Sequence, residues 1–354
     1  MVVLFWVLIL VVFPKAKINL SAYNENYLDR EQTTAIRGIF AVLILFSHLR
    51  SYIDLSTTRC DILFDSIMTS LGQLIVVMFL FYSGYGIFCS YVKKSNYTKG
   101  FPKNRIVKTL LHYDLAVFLF LILDFALGIK YESIDYVFCW IGWRTIGHSK
   151  WFVFDILALY IVTWIAFMLI DIVKLKNREK WLIGMTFTGA VLLIAFLYVA
   201  KMDDGSFWYD TIMVYPVGML FANYKNRIDQ FLKTRKLFAW GGIIAGLIAM
   251  YAIFARVSLS FVYNICACCF ALIIVLLTMK IRVVNPMLLK LGQISFSIYI
   301  IQRWPMILMS YFGLNQHRYV FAIASIICAI GLAYIFDKML ETIDRIAFTK
   351  SVKE

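Results

Sequence analysis

The sequence predicts an all-α protein, a polytopic transmembrane bundle of about 10–11 helices, at about 20 residues per crossing. Three observations lead there. Of the 354 residues, 62% are hydrophobic and only 16% are charged, where a soluble domain is roughly half apolar and a quarter charged. The mean hydropathy of +0.79 is more apolar surface than one water-facing globule can hide, because the excess would lie outside as large sticky patches. The apolar residues also gather in runs of about 20, the length that crosses a hydrocarbon core as a helix.

The first run, Val2 to Phe13, is short for a crossing. It lacks the basic leader and small-residue cleavage site of a secretory signal, and reads as an extra transmembrane or re-entrant helix. Apolar runs follow at 36–52, 66–92, 109–129, 151–173, 181–200, 207–223, 237–255, 260–279, 291–312 and 319–337. The connections between them alternate in charge. Segment 93–108 carries Lys93, Lys94, Lys99, Lys103, Arg105 and Lys108; 174–180 carries Lys174, Lys176, Arg178 and Lys180; 225–236 carries Lys225, Arg227, Lys233, Arg235 and Lys236. Loops 53–65, 201–206, 256–259 and 313–318 hold few cations, so the rich loops and the tail with Lys338, Arg345 and Lys350 are expected in the cytoplasm. Followed back, this order starts the helix of Arg37 at the cytoplasmic face.

The net charge of +14 is therefore the positive-inside rule expressed as a total. A nucleic-acid domain would gather its cations on one folded polar face, so nucleic acid is excluded as a partner and membrane lipid is expected. The seven cysteines are odd in number and lie mostly within apolar runs, and Cys266, Cys268 and Cys269 lack zinc-like spacing. No disulfide framework and no metal site is expected.

The chemistry concentrates on one predicted helix. Arg37 and His48 are separated by ten residues, close to three helical turns, so both project from one face about 16 Å apart along the axis. This places a guanidinium at the inner interface and an imidazole near the bilayer middle. A buried imidazole is costly without partners and is suited to general-base work near neutral pH; a packing histidine bonded to a neighbouring carbonyl is the plainer alternative.

That stretch, Arg37-Gly38 through Ser47-His48, resembles the opening signature of membrane-bound acyltransferase family 3, an Arg or Lys ten residues before a His. Phe79-Leu80-Phe81-Tyr82-Ser83-Gly84-Tyr85 is similar to the family's aromatic Ser-Gly segment. Asn104-Arg105-Ile106-Val107-Lys108 resembles its basic stretch, His148-Ser149-Lys150-Trp151-Phe152 its Trp-Phe helix start, and Ile294-Ser295-Phe296-Ser297-Ile298-Tyr299 its late Ser-x-Ser-x-Tyr segment. Where the family commonly carries a late His, this chain reads Gln302-Arg303, and glutamine is no base.

The resemblance implies an acyl-CoA-dependent O-acyltransferase, with acetyl the first expectation for the donor group and a cell-surface polysaccharide or lipid-linked glycan for the acceptor. It divides the chain into an extra helix and cytoplasmic linker at 1–33, a membrane acyltransferase domain at 34–340 and a cytoplasmic tail at 341–354. It implies catalytic roles for His48 and Arg37, with Ser83 as an alternative acylated nucleophile if a base lies within reach. Acyl-CoA carries phosphates, which Arg37, Arg105, Lys103 and Lys108 would hold near Tyr85, although Lys103 and Lys108 serve equally to set topology. Trp151, Phe152, Tyr299, Gln302 and Arg303 are the acceptor-side candidates, with an interfacial aromatic belt the alternative for the first two. Arg303 is expected deep in its helix. Asp114 and Asp124 are candidate partners of His48 or Arg303, while Asp155 and Asp171 lie near helix ends, where solvation accounts for them. The competing class is a transporter or flippase, since a basic bundle with midplane His, Arg and Asp also describes carriers.

Overall fold

In the computed structural model the described residues are 1–12, 16–20, 23–149, 151–255, 257 and 260–348. Phe13, Pro14, Lys150 and Lys350 lie outside them, as do the side chains of Arg235 and Lys236. The described chain is almost wholly helical. α1 (Val3–Val12) spans 10 residues, about 15 Å, too short to cross alone. It lies on the bundle instead, with the Phe5 ring 5.8 Å from Phe46 and 5.1 Å from Phe64. β1 (Lys17–Ile18) follows.

α2 (Arg30–Leu49) begins earlier than the apolar pattern suggests. The Asp29 carboxylate accepts from the Gln32 amide at 2.6 Å, and Glu31 in the first turn suits the positive helix end. His48 consequently stands in the last turn of α2, about 27 Å along the axis from Arg30. The run 66–92 is two helices, α3 (Arg59–Leu71) and α4 (Leu74–Lys93), broken at Gly72, whose φ of 42° is left-handed. The basic segment 93–108 is folded as well: α5 (Tyr97–Phe101) leads through a π-helical turn, Pro102–Val107, into α6 (Lys108–Leu127). Such π turns recur at functional sites. α7 (Ser133–Phe138) lies in the 130–150 connection, before α8 (Trp151–Val173) and α9 (Arg178–Ala200).

α10 (Val214–Phe254) is 41 residues of helical backbone, about 60 Å if straight. It is not straight. Asn264 of α11 (Ser260–Thr278) bonds Met213 and Tyr209 at the start of α10, while Cys266, two residues on, donates to the Tyr251 carbonyl near its end. Trp240 donates to Leu276 at the opposite end of α11. Both halves of α10 therefore run along one helix, and the element doubles back between Asp229 and Trp240, where the sequence places its basic 225–236 connection.

β2 (Ile281–Arg282) pairs antiparallel with β1, Lys17 opposite Arg282 and Ile18 opposite Ile281. The run 291–312 is interrupted twice, giving α12 (Pro286–Gln293), α13 (Ser295–Ile301) and α14 (Arg303–Tyr311). Pro305 explains the second break: it offers no N–H to the Ile301 carbonyl, and its ring crowds that oxygen. Arg303 is thus the first residue of α14, at the break, rather than deep in a helix. α15 (Arg318–Phe348) runs past 337, so most of the expected tail is helical.

Two glycine pairs hold the central helices together. A Cβ on Gly38 would strike the Leu288 carbonyl and one on Gly292 the Thr34 carbonyl, which clamps α2 on α12. Gly84 meets Tyr215 and Gly218 meets Phe81 in the same reciprocal way, which clamps α4 on α10. Small residues allow this approach between backbones in lipid. Seven helical stretches among the described residues are long and apolar enough to cross a membrane, and the protein is a multi-pass membrane protein.

Candidate active site

α2, α4, the π turn with α6, α8 and α13 enclose a cavity of about 830 Å³. On α2 its wall takes Arg30, Thr33, Arg37 and Ile44; on α4 it takes Val76, Phe79, Ser83, Gly86 and Ser90. These are steps of three, four and, from Arg37 to Ile44, seven, one helical face each. The strip on α2 runs on to His48, one turn past Ile44 and beyond the wall itself.

The cavity changes character along its length. One end, with Arg30, Arg37, Lys94, Asn104, Arg105 and Lys108, is cationic; the other, with Ile44, Val76, Phe79, Phe152, Ile156 and Tyr299, is apolar and aromatic. A second hollow of about 690 Å³ adjoins the basic end and shares Lys94, Asn104 and Arg105 with it.

At the basic end Arg37 donates from Nη2 to the Thr34 hydroxyl at 3.1 Å. Arg37 and Arg105 are close enough to repel, and Tyr160 acts electrostatically on both guanidiniums. Among the described residues neither arginine pairs with a carboxylate. Two facing cations without a counter-charge make a site for an anion. Lys108 differs, because its Nζ lies 2.6 Å from Asp344 of α15, whose other oxygen is 2.8 Å from His112 Nε2. Lys103 is exposed and off the wall, with its ammonium 5.6 Å from the centre of the Phe348 ring. Below this end, the Tyr23 and Tyr27 hydroxyls donate to Asp229 at 2.6 and 2.8 Å. Burial first and that carboxylate second hold the Tyr23 hydroxyl above the usual tyrosine range.

Farther in, Tyr85 lines the wall, and Ser83 shares a 2.9 Å hydrogen bond with the Tyr160 hydroxyl. A tyrosine, not a histidine, is thus the partner of Ser83. The apolar end is closed by three rings. Phe152 stands 5.3 Å from Tyr299 and 6.2 Å from Phe79, both edge to face. Trp151 packs behind them on Phe152 and Phe207 and does not reach the cavity.

His48, Gln302 and Arg303 are not part of the cavity wall. His48 is half-buried. Arg303 donates from Nε to the Tyr52 hydroxyl at 3.2 Å and is near enough to act electrostatically on both His48 and Tyr299. Gln302 is fully buried, its amide donating to the Tyr299 carbonyl at 3.3 Å. Of the arginine and histidine of the sequence motif, the first therefore lines the cavity and the second does not.

Of the acidic residues, all but Asp171 depart from expectation. Asp171 is exposed and pairs with Arg178. Asp155 is not solvated: it is 0% exposed, and neither carboxylate oxygen has a hydrogen-bond partner among the described residues. Asp124 is buried and bare in the same way, and neither it nor Asp114 pairs with His48 or Arg303 among the described residues. Sequence reasoning passed over Tyr82, Tyr160 and His112 on the wall; the α4 spacing signals Tyr82 beside Ser83, whereas His112 and its partner Asp344 meet only in the fold.

A family model described as an acyltransferase domain matches residues 26–338. No curated protein matches the chain, and no solved structure does.

Proposed function

Because the chain belongs to acyltransferase family 3, whose model covers most of its length, we propose that it transfers an acyl group, acetyl foremost, from cytoplasmic acyl-CoA to a hydroxyl of a cell-surface polysaccharide or lipid-linked glycan. The basic end and the C-terminus face the cytoplasm, and the membrane is the plasma membrane. One observation carries the reading: Arg37 and Arg105, without carboxylate partners among the described residues, both line the cationic end of a cavity whose other end is apolar. Acyl-CoA has the same gradient, phosphates at one end and an acyl group at the other. The adjoining hollow extends the cationic surface for the nucleotide, and guanidinium forks pair with phosphate oxygens two bonds at a time.

The thioester then lies against Phe79, Phe152 and Tyr299, with the acceptor entering from the side of His48. His48 removes the hydroxyl proton as the oxygen attacks the thioester carbonyl. Collapse of the tetrahedral intermediate breaks the C–S bond, and the proton held by His48 passes to the departing CoA thiolate. Ser83, hydrogen-bonded to Tyr160 rather than to a base, fits a wall residue better than an acylated nucleophile, which favours direct transfer over an acyl-enzyme. The rings must move aside, or the pantetheine arm must thread between them, for the two compartments to meet.

Calorimetric titration of CoA into the purified protein in detergent is the test. Binding that weakens at least tenfold in Arg37→Ala supports the reading. No binding to the intact protein refutes it and favours a carrier of sugars or ions, which has no use for the cofactor.

A further inference from the structure

Asp155 is a buried ionisable group for which the reaction outlined above has no task. It lies on α8 between Phe152 and Ile156, both on the cavity wall, and near enough to Tyr299 to act on it electrostatically. It is fully buried, and both of its oxygens lack a hydrogen-bond partner among the described residues. Gln302, also fully buried, leaves its side-chain oxygen bare among the same residues, and the buried Tyr299 hydroxyl likewise has no hydrogen-bond partner there, although Asp155 and Arg303 are near enough to act on it. Three side chains, one on α8, one on α13 and one at the junction of α13 with α14, thus leave polar atoms unmet at and next to the ring wall. Buried polar groups without partners are costly, and in a membrane bundle they mark a place where a ligand supplies what the protein does not.

The chemistry of the bare atoms selects the ligand. The Gln302 amide oxygen only accepts hydrogen bonds, whereas the Tyr299 hydroxyl both donates and accepts, so the partner that answers the whole set must do both. A thioester carbonyl only accepts and leaves the amide oxygen unmet. A metal cation is disfavoured because the Arg303 guanidinium also acts on Tyr299. A polyol, which presents several O–H donors, answers the set.

We propose that Asp155, together with Gln302 and Tyr299, binds the hydroxyl-bearing acceptor at the wall between the donor cavity and His48. This rests on the acyltransferase reading and adds the residue that holds the second substrate. The carboxylate receives a hydroxyl beside the one that is acylated, and so turns the reacting oxygen toward the thioester.

The test compares Asp155→Asn and Asp155→Leu with the wild type in three measurements: CoA affinity, melting temperature in detergent, and transfer of labelled acetyl from acetyl-CoA to glycan in native membranes. Both variants are expected to bind CoA within twofold of the wild type and to transfer at least tenfold more slowly. Asp155→Leu is expected to melt higher, because a bare carboxylate kept for binding is a burden on the fold. A leucine variant that melts lower, or transfer unchanged in both variants with CoA still bound, overturns the assignment and leaves the acyltransferase reading standing. Failure of the wild type to bind CoA defeats that reading instead.

Discussion

At the scale of single residues, the proposed reaction gives the pair that stands out in the sequence separate tasks. Arg37 lines the cavity wall and His48, one turn past Ile44, is off it, so under that reaction their replacement should fail in different measurements. His48→Ala is expected to slow transfer by about 10²–10⁴-fold, the usual loss for a general base, with CoA binding intact by calorimetry. Arg37→Ala should weaken CoA binding instead, by roughly 10–150-fold if charge-assisted bonds of about 1.5–3 kcal/mol are lost. Arg37→Lys should fall between, since an ammonium keeps the charge and loses the fork. Both positions were legible because an eleven-residue step fixes a shared helical face whatever surrounds it. Arg303 and Asp155 were not: Arg303 depends on where Pro305 ends the preceding helix, and the isolation of Asp155 depends on neighbours from other elements.

At the scale of elements, the reciprocal glycine contacts determine which helices stay fixed. α2 and α12 touch backbone to backbone through Gly38 and Gly292, and α4 and α10 do so through Gly84 and Gly218. A methyl group at Gly292 would have to displace the Thr34 carbonyl, so Gly292→Ala is expected to lower stability by about 1–3 kcal/mol, the range for overpacking, read as a lower melting temperature. α15 makes a different use of its end. Asp344 occupies Lys108 and His112 at the cationic mouth, so Asp344→Asn should release a cation and tighten CoA binding severalfold. That contact was hidden because the partners are more than 200 positions apart in the chain. The fold-back in α10 was legible, since its basic connection separates two apolar runs. The breaks within 291–312 were not, although Gln293 and Gln302 stand at them, because a lone polar residue does not by itself end a membrane helix.

At the scale of the whole molecule, composition and loop charge revealed a membrane bundle because lipid penalises every unmet backbone group and every stray ion. They do not specify which helix lies beside which, and the cavity exists only through those adjacencies. A ligand that binds the folded bundle should stabilise it by about 2.7 kcal/mol at a hundredfold excess over its dissociation constant. CoA is therefore expected to raise the melting temperature of the wild type and to leave that of Arg37→Ala nearly unmoved. The closed end at Phe79, Phe152 and Tyr299 has one more consequence. Under the proposed reaction a highly charged carrier enters halfway through the membrane while the cell keeps its voltage, which asks these three rings to bar water and ions from crossing. On that reading their packing is an electrical seal as well as a substrate wall, so any passage for substrate has to open without a continuous thread of water.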